Sequence, residues 1–136
     1  MTDQEMLVAS LLTLRQKLHS FHWEVTGVSF MELHKLFEAQ YTDILDFADR
    51  ISEYMRTMNT HPPSTLKDIL RLSIIKESEA SNINTAEMLT QLKRDFSLLA
   101  GMANESVNES RAWSNIMDDL HEYLMKQSWF IRSYLE

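Results

Sequence analysis

The sequence has no cysteine, and it contains only two glycines and two prolines in 136 residues. The missing cysteines exclude disulfide bridges and thiolate metal sites. Because glycine and proline mark turns, their scarcity favours long helices joined by few loops. No uninterrupted apolar run of about 18 residues is present, so we expect no membrane span. The first ten residues also lack the basic and apolar regions of a signal peptide, and we therefore expect a cytoplasmic protein.

Acidic residues outnumber basic ones, and the formal net charge is −7. An acidic surface attracts cations and repels nucleic acid. The first five residues carry Asp3 and Glu5 but no lysine or arginine, and the chain closes on Tyr134, Leu135 and Glu136 without a basic tail. We therefore expect little DNA binding.

Apolar residues recur at three- and four-residue intervals, which is typical of helix faces, and they predict an all-α fold in a single domain, residues 1–136. We predict long helices over residues 3–24, 30–58, 83–107 and 112–135. A short helix at 65–72, capped by Ser64, is expected in the crossover between the second and third helices. A long crossover allows these two helices to run parallel in a four-helix bundle.

Each long helix carries one apolar stripe that predicts its buried face. On the first helix the stripe is Leu7, Leu11, Leu14, Leu18, Phe21 and Val25. On the second it is Phe37, Tyr41, Ile44, Ala48, Ile51 and Met55. On the third it is Leu89, Leu92, Phe96, Leu99 and Ala103, and on the fourth it is Trp113, Ile116, Leu120, Leu124, Ile131 and Tyr134.

The second helix also carries a polar stripe beside its core stripe, made of His34, Glu38, Asp49 and Glu53. These residues form two pairs at i, i+4 spacing, so the members of each pair lie one turn apart on one face. Imidazole and carboxylate pairs of this kind can bind a divalent transition metal, although a solvated face has the same spacing. The pairs are separated by roughly 22 Å of helix, so they cannot meet within one straight helix. A second copy, antiparallel across a two-fold axis, would bring them together in two equivalent sites.

The segment FHWEVTGVSFMELHKLFEAQYTDILDFADRISEYM resembles the signature of the Dps-type miniferritins, the DNA-binding proteins from starved cells. The resemblance implies a ferritin-like four-helix bundle with a short helix in the crossover, assembled into a shell of twelve subunits. It also implies iron sites between two-fold-related subunits. One subunit would supply His22, His34 and Glu38, and its neighbour would supply Asp49 and Glu53.

The implied activity is oxidation of Fe(II) by hydrogen peroxide or dioxygen, with the ferric product stored as mineral and DNA thereby protected from oxidative damage. Zinc or manganese could occupy the same ligands. Trp23, next to His22, is placed as an electron donor or radical trap, or as a packing residue at the subunit contact. The alternatives are a DNA-compacting Dps with a minor ferroxidase role and a metal-free helical interaction protein. A di-iron bundle enzyme is disfavoured because the sequence has no Glu-x-x-His motif.

Several other residues carry expectations about their surroundings. Gly101 lies inside the third helix at a cost of about 1 kcal/mol relative to alanine, so we expect a close helix contact there. Family members often line an iron-entry pore with an aspartate at the position of Asn115. We expect His19 and His61 to lie at the surface. The acids Glu109, Asp118, Asp119 and Glu122 are expected to be solvated. We expect Trp113 and Trp129 to pack in the core or at an interface.

Overall fold

The computed structural model describes residues 2–106 and 110–136, and these ranges form five α-helices and no β-strand. The helices are α1 (Asp3–Glu24), α2 (Phe30–Thr57), α3 (Leu66–Leu72), α4 (Thr85–Glu105) and α5 (Arg111–Leu135). A 3-10 turn, Ala80–Asn82, precedes α4. The all-α prediction is confirmed. Within the described ranges, no helix combines the length and the apolar character needed to cross a bilayer.

The four long helices pack as two hairpins, α1 with α2 and α4 with α5. The hairpins are joined by residues 58–84, in which α3 lies against α1. Contacts of α1 with α4 and of α2 with α5 close the four long helices around one apolar core. The predicted bundle with a short helix in its crossover is therefore confirmed.

Almost every residue of the four predicted stripes is buried. Tyr41 is half-buried, and Tyr134 is exposed rather than part of the core. Tyr134 lies in the last turn of α5, where it lines an open groove with Leu135 and the first residues of α4. Trp113 is in the core as expected, whereas Trp129 is 52% exposed, so only its expectation as an interface residue remains.

Capping side chains set the N-terminal ends of four helices, and Thr2 caps α1 by accepting a hydrogen bond from the backbone N–H of Glu5. Asn84 accepts a hydrogen bond from the backbone N–H of Glu87, so α4 starts at Thr85, two residues later than predicted. Thr65, not Ser64, caps α3. Ser110 caps α5, which starts one residue earlier than predicted. These side chains satisfy N–H groups that the first helical turn leaves unpaired.

Three further expectations concern the C-terminal ends of the second and third long helices and the contacts around Gly101. The second helix ends at Thr57, and Met58 serves as its C-cap. The predicted end of the third long helix at Val107 lies outside the described residues. The expected close contact at Gly101 is wrong, because an added Cβ would meet no atom within 4 Å in the described structure.

The turn between α1 and α2 brings the end of one helix against the start of the next. Gly27 has φ +100°, a conformation that glycine adopts without steric cost. The Thr85 hydroxyl donates to the Thr26 carbonyl at 2.8 Å and ties this turn to α4. The turn therefore places His22, near the end of α1, beside His34, near the start of α2.

Candidate metal centre

His22 and His34 are held together by two reciprocal hydrogen bonds. The Nδ1 atom of each ring lies 2.7 Å from the backbone carbonyl oxygen of the other residue. Because a carbonyl can only accept, each Nδ1 must carry the proton and donate it. In a neutral imidazole this leaves the lone pair on Nε2, which is the atom that can bind a metal. Hydrogen bonds of this kind, made by the ring nitrogen that faces away from a metal, orient metal-binding histidines.

The two imidazole rings also stack, with centroids 3.7 Å apart and planes 12° from parallel. Phe30 packs on His34 at 5.2 Å, and His22 is only 7% exposed. The stack and the two hydrogen bonds from Nδ1 together fix the orientation of both rings.

Glu38 approaches this histidine pair from the next turn of α2. Its Oε1 atom lies 3.8 Å from Nε2 of His22, while most of its side chain is exposed. At this distance, Nε2 of His22 and the carboxylate of Glu38 face each other but are too far apart for a hydrogen bond. Even so, no group of three histidine, aspartate or glutamate side chains within the described part of one chain is arranged to hold an ion. One chain therefore presents an open, incomplete set of donors.

Asp49 and Glu53 lie farther along α2, exposed and close to each other. A hydrogen bond with the Asp49 carboxyl, reinforced by its charge, raises the pKa of Glu53 above the ordinary value. The structure does not bring these two residues to His34 and Glu38, because about 22 Å of the same helix separates the pairs. Asp49 and Glu53 therefore form a separate acidic patch, and its negative charge would attract a cation.

Trp23 is 59% exposed near the end of α1, and its ring lies beside that of His19. His19 is half-buried rather than on the surface, and its ring packs between Trp23, at 4.2 Å, and Tyr41, at 4.3 Å. Partial burial lowers the pKa of His19, and the charges of Arg15 and His22 lower it further. The contact between His19 and Trp23 could have been predicted from their i, i+4 spacing on α1. The position of Tyr41 required the fold.

The remaining candidate residues lie at the surface as expected. His61 is exposed, with its Nδ1 at 3.2 Å from the Arg56 guanidinium. Asp119 is exposed and pairs with Arg50 at 2.8 Å. Exposed positions are also found for Asn115, Asp118 and Glu122. Glu109 lies outside the described residues.

Comparison with known proteins agrees with this architecture. A ferritin-like domain model matches residues 5–136. The DNA protection during starvation protein of Brevibacillus brevis is 32% identical over 136 residues, which cover 95% of this chain and 89% of that protein. DNA protection during starvation protein 2 of Bacillus anthracis is 31% identical over 134 residues, with 94% and 90% covered.

Solved structures give the same result at the level of the fold and the sequence. The crystal structure of a Dps protein from Bacillus brevis is 29% identical, with a TM-score of 0.86, and the match covers 98% of this chain and 93% of that chain. The bundle, the helix in the crossover and these matches over almost the whole length lead to one assignment. The chain belongs to the ferritin-like family and, within it, to the Dps-type miniferritins.

Proposed function

We propose that this protein oxidises Fe(II) and stores the ferric product as a mineral inside a hollow shell of twelve subunits. The oxidant is hydrogen peroxide or dioxygen, and removing iron together with oxidant protects DNA. Iron is the substrate of this reaction, and zinc or manganese, which accept the same donors, would compete with it. The net charge of −7 disfavours the alternative in which DNA compaction is the main role.

The observation that carries the proposal is the reciprocal bonding of His22 and His34. Each Nδ1 is committed to a backbone carbonyl, so each Nε2 is left as a metal-binding nitrogen, and Glu38 adds an oxygen donor next to His22. Nitrogen and oxygen donors in small number suit iron and leave coordination positions open to an oxidant.

The Asp49 and Glu53 pair supplies the other half of the proposed site, from a neighbouring subunit. An antiparallel α2 across a two-fold axis would place these carboxylates opposite His34 and Glu38, and symmetry would generate a second, equivalent site. The hydrogen bond with Asp49, together with the negative charge of Asp49, raises the pKa of Glu53. A bound cation would relieve the repulsion between the two carboxylates.

Two Fe(II) ions held close together can reduce one peroxide molecule completely. Each iron gives one electron, the O–O bond breaks, and two protons are taken up to give two Fe(III) ions and two water molecules. Where only one iron is bound, we propose that Trp23 gives the second electron and becomes an indole radical cation, with the same uptake of two protons. This step would avoid release of a hydroxyl radical.

The test uses two complementary variants, His34→Ala/Glu38→Ala and Asp49→Ala/Glu53→Ala, refolded separately and as an equal mixture. A mixed pair of subunits contains one undamaged site and one site that has lost both halves. Random pairing should therefore restore about a quarter of the sites, while each parent alone has none. The rate of Fe(II) oxidation by peroxide is measured after the assemblies have been sized by light scattering.

Asp118→Ala/Glu122→Ala is the matched control, since it removes two exposed carboxylates at the same spacing from α5. This variant should oxidise iron like the unmodified protein. Mixed assemblies that form but oxidise no more iron than either parent would refute the shared site. Unmodified assemblies that oxidise no Fe(II) would refute the function and favour a metal-free role.

A further inference from the structure

Three aromatic side chains lie in a row beside the proposed metal site. The ring of His19 lies between those of Trp23 and Tyr41, and its centroid is 4.2 Å from the first and 4.3 Å from the second. The planes of His19 and Tyr41 are 25° from parallel, and those of His19 and Trp23 are 39° from parallel. Rings at this spacing are in direct contact. The row therefore connects the end of α1 to α2 through touching π-systems.

Tyr41 also contacts a proposed metal ligand. Its ring meets the ring of His22 edge-on, with centroids 5.5 Å apart and planes 82° from parallel. Trp23 joins the row at the other end, through its contact with His19. The ring contacts therefore run from the buried His22 through Tyr41 and His19 to the exposed indole. An electron that follows these contacts between Trp23 and the site passes Tyr41.

A phenol and an indole hold an oxidising equivalent in different ways. The indole radical cation of Trp23 carries a positive charge. An oxidised phenol releases its O–H proton and becomes a neutral radical. Tyr41 is half-buried, so its proton can reach water, and the neutral radical left behind needs no solvation of a charge. Release of the proton therefore favours transfer of the oxidising equivalent from Trp23 to Tyr41.

We propose that Tyr41 gives an electron through His19 to the oxidised Trp23 and then holds the oxidising equivalent as a neutral phenoxyl radical. This inference rests on the proposed function, because iron and peroxide produce the Trp23 radical cation. One electron passes from Tyr41 to Trp23, the neutral indole is restored, and the phenol proton goes to water.

The phenoxyl radical of Tyr41 is reduced by the next Fe(II) that binds at His22. The iron gives one electron and becomes Fe(III), and one proton returns from water to restore the phenol. The edge-on contact between Tyr41 and His22 provides a short path for this electron. The relay would thus hold the second oxidising equivalent of a peroxide molecule between α1 and α2 until another iron arrives.

A photochemical experiment tests the transfer in the assembled protein without iron. A flash-generated ruthenium(III) polypyridyl complex, which takes one electron, oxidises exposed indoles, and Trp129→Phe removes the other exposed indole. In this background, transient absorption should show the indole radical of Trp23 decaying while a phenoxyl radical grows at the same rate. Tyr41→Phe should abolish that growth and prolong the indole radical. Trp23→Phe should also abolish the delayed growth, because the indole radical is its source.

Tyr54→Phe is the matched control for Tyr41→Phe. Tyr54 is also half-buried on α2, and it packs beside a different indole, that of Trp113, with centroids 5.4 Å apart. Loss of its hydroxyl should leave transfer from Trp23 unchanged. Delayed phenoxyl growth that survives Tyr41→Phe, or that disappears in Tyr54→Phe, would overturn the inference.

Substitutions of His19 test the route. His19→Ala removes the ring between the two partners and should slow the transfer, whereas His19→Phe retains a ring there and should keep most of the rate. Transfer as fast in His19→Ala as in the reference protein would overturn the route, and so would transfer as slow in His19→Phe as in His19→Ala. Light scattering and circular dichroism confirm that each variant is assembled and folded before rates are compared.

Iron and peroxide provide the last measurement. Freeze-quenched samples should give the electron paramagnetic resonance signal of a phenoxyl radical, and Tyr41→Phe should lose this signal. Photochemical transfer in a protein that oxidises no Fe(II) would refute only the proposed activity. Absence of photochemical transfer in a protein that does oxidise Fe(II) would refute only the relay.

Discussion

Lys17 and Asp95 form a charged pair inside the bundle, with Nζ and Oδ2 2.7 Å apart and both side chains almost fully enclosed. The ammonium also donates to the Lys76 carbonyl at 2.9 Å, so one side chain connects α1, α4 and the crossover. Losing one partner strands the other charge in the interior, which costs about 3–5 kcal/mol. Replacing both by apolar residues removes the charge and its desolvation together, so it costs less.

We therefore predict that Asp95→Leu lowers the free energy of unfolding by about 3 kcal/mol or more, and that Lys17→Met/Asp95→Leu recovers part of this loss. Thermal unfolding at fixed protein concentration measures both, because the stability of an oligomer depends on concentration. If Lys17→Met/Asp95→Leu is at least as unstable as Asp95→Leu, the prediction is wrong. The attraction between the two charges would then exceed the free-energy cost of burying them.

We predict that His22→Ala and His34→Ala each lower the rate of Fe(II) oxidation about 100-fold. Each change removes a proposed ligand and also the Nδ1–H donor that holds the other residue's carbonyl. His61→Ala, which changes an exposed histidine, should leave the rate within about twofold. Stopped-flow oxidation, with the oligomeric state confirmed for each variant, makes the comparison. Equal rates for all three would rule out the histidine pair as the site.

The pKa of Glu53 should be measurably high because of Asp49. Since the folded-state pKa lies above the unfolded one, the folded protein binds this proton more tightly. The pair therefore opposes folding at neutral pH, and the penalty disappears as the pH falls through the raised pKa. In an NMR titration of the carboxyl carbons, Asp49→Asn should return Glu53 to its ordinary value. An unchanged titration would show that Asp49 is not the cause.

The two glycines should respond oppositely to substitution by alanine. At Gly101 an added Cβ meets nothing within 4 Å, so Gly101→Ala should stabilise the protein by about 0.5–1 kcal/mol through its better helix propensity. At Gly27, where φ is +100°, the same change should destabilise it by about 1 kcal/mol. Thermal melts of both variants give the answer. A destabilising Gly101→Ala would instead place a subunit contact at that surface.

DNA binding should be weak at neutral pH and about 150 mM salt, because a chain with net charge −7 gains little from counterion release. A gel-shift titration with linear duplex DNA and no divalent metal tests this. A complex that forms at micromolar protein under those conditions would contradict the prediction.

Periodicity predicted the helices and most of the core because burial on one face is encoded every three or four residues. It placed Leu18 and Phe21 inside, as the structure has them. It could not predict the Lys17–Asp95 pair, since that contact joins residues far apart in sequence. The packing of His19 on Tyr41 was missed for the same reason. The reciprocal bonds of the histidines involve backbone carbonyls, which no side-chain pattern reveals.

The three tryptophans occupy unequal environments, and this makes the protein's intrinsic fluorescence informative. Trp113 is enclosed, with its Nε1–H donating to the Ser106 hydroxyl, so its emission should stay constant until the bundle unfolds. Trp23 and Trp129 are more than half exposed. Exclusion of water at either indole would move its emission to shorter wavelength, whereas iron bound near His22 would quench Trp23. Single-tryptophan variants would thus separate association, metal loading and unfolding as three distinct spectral signals.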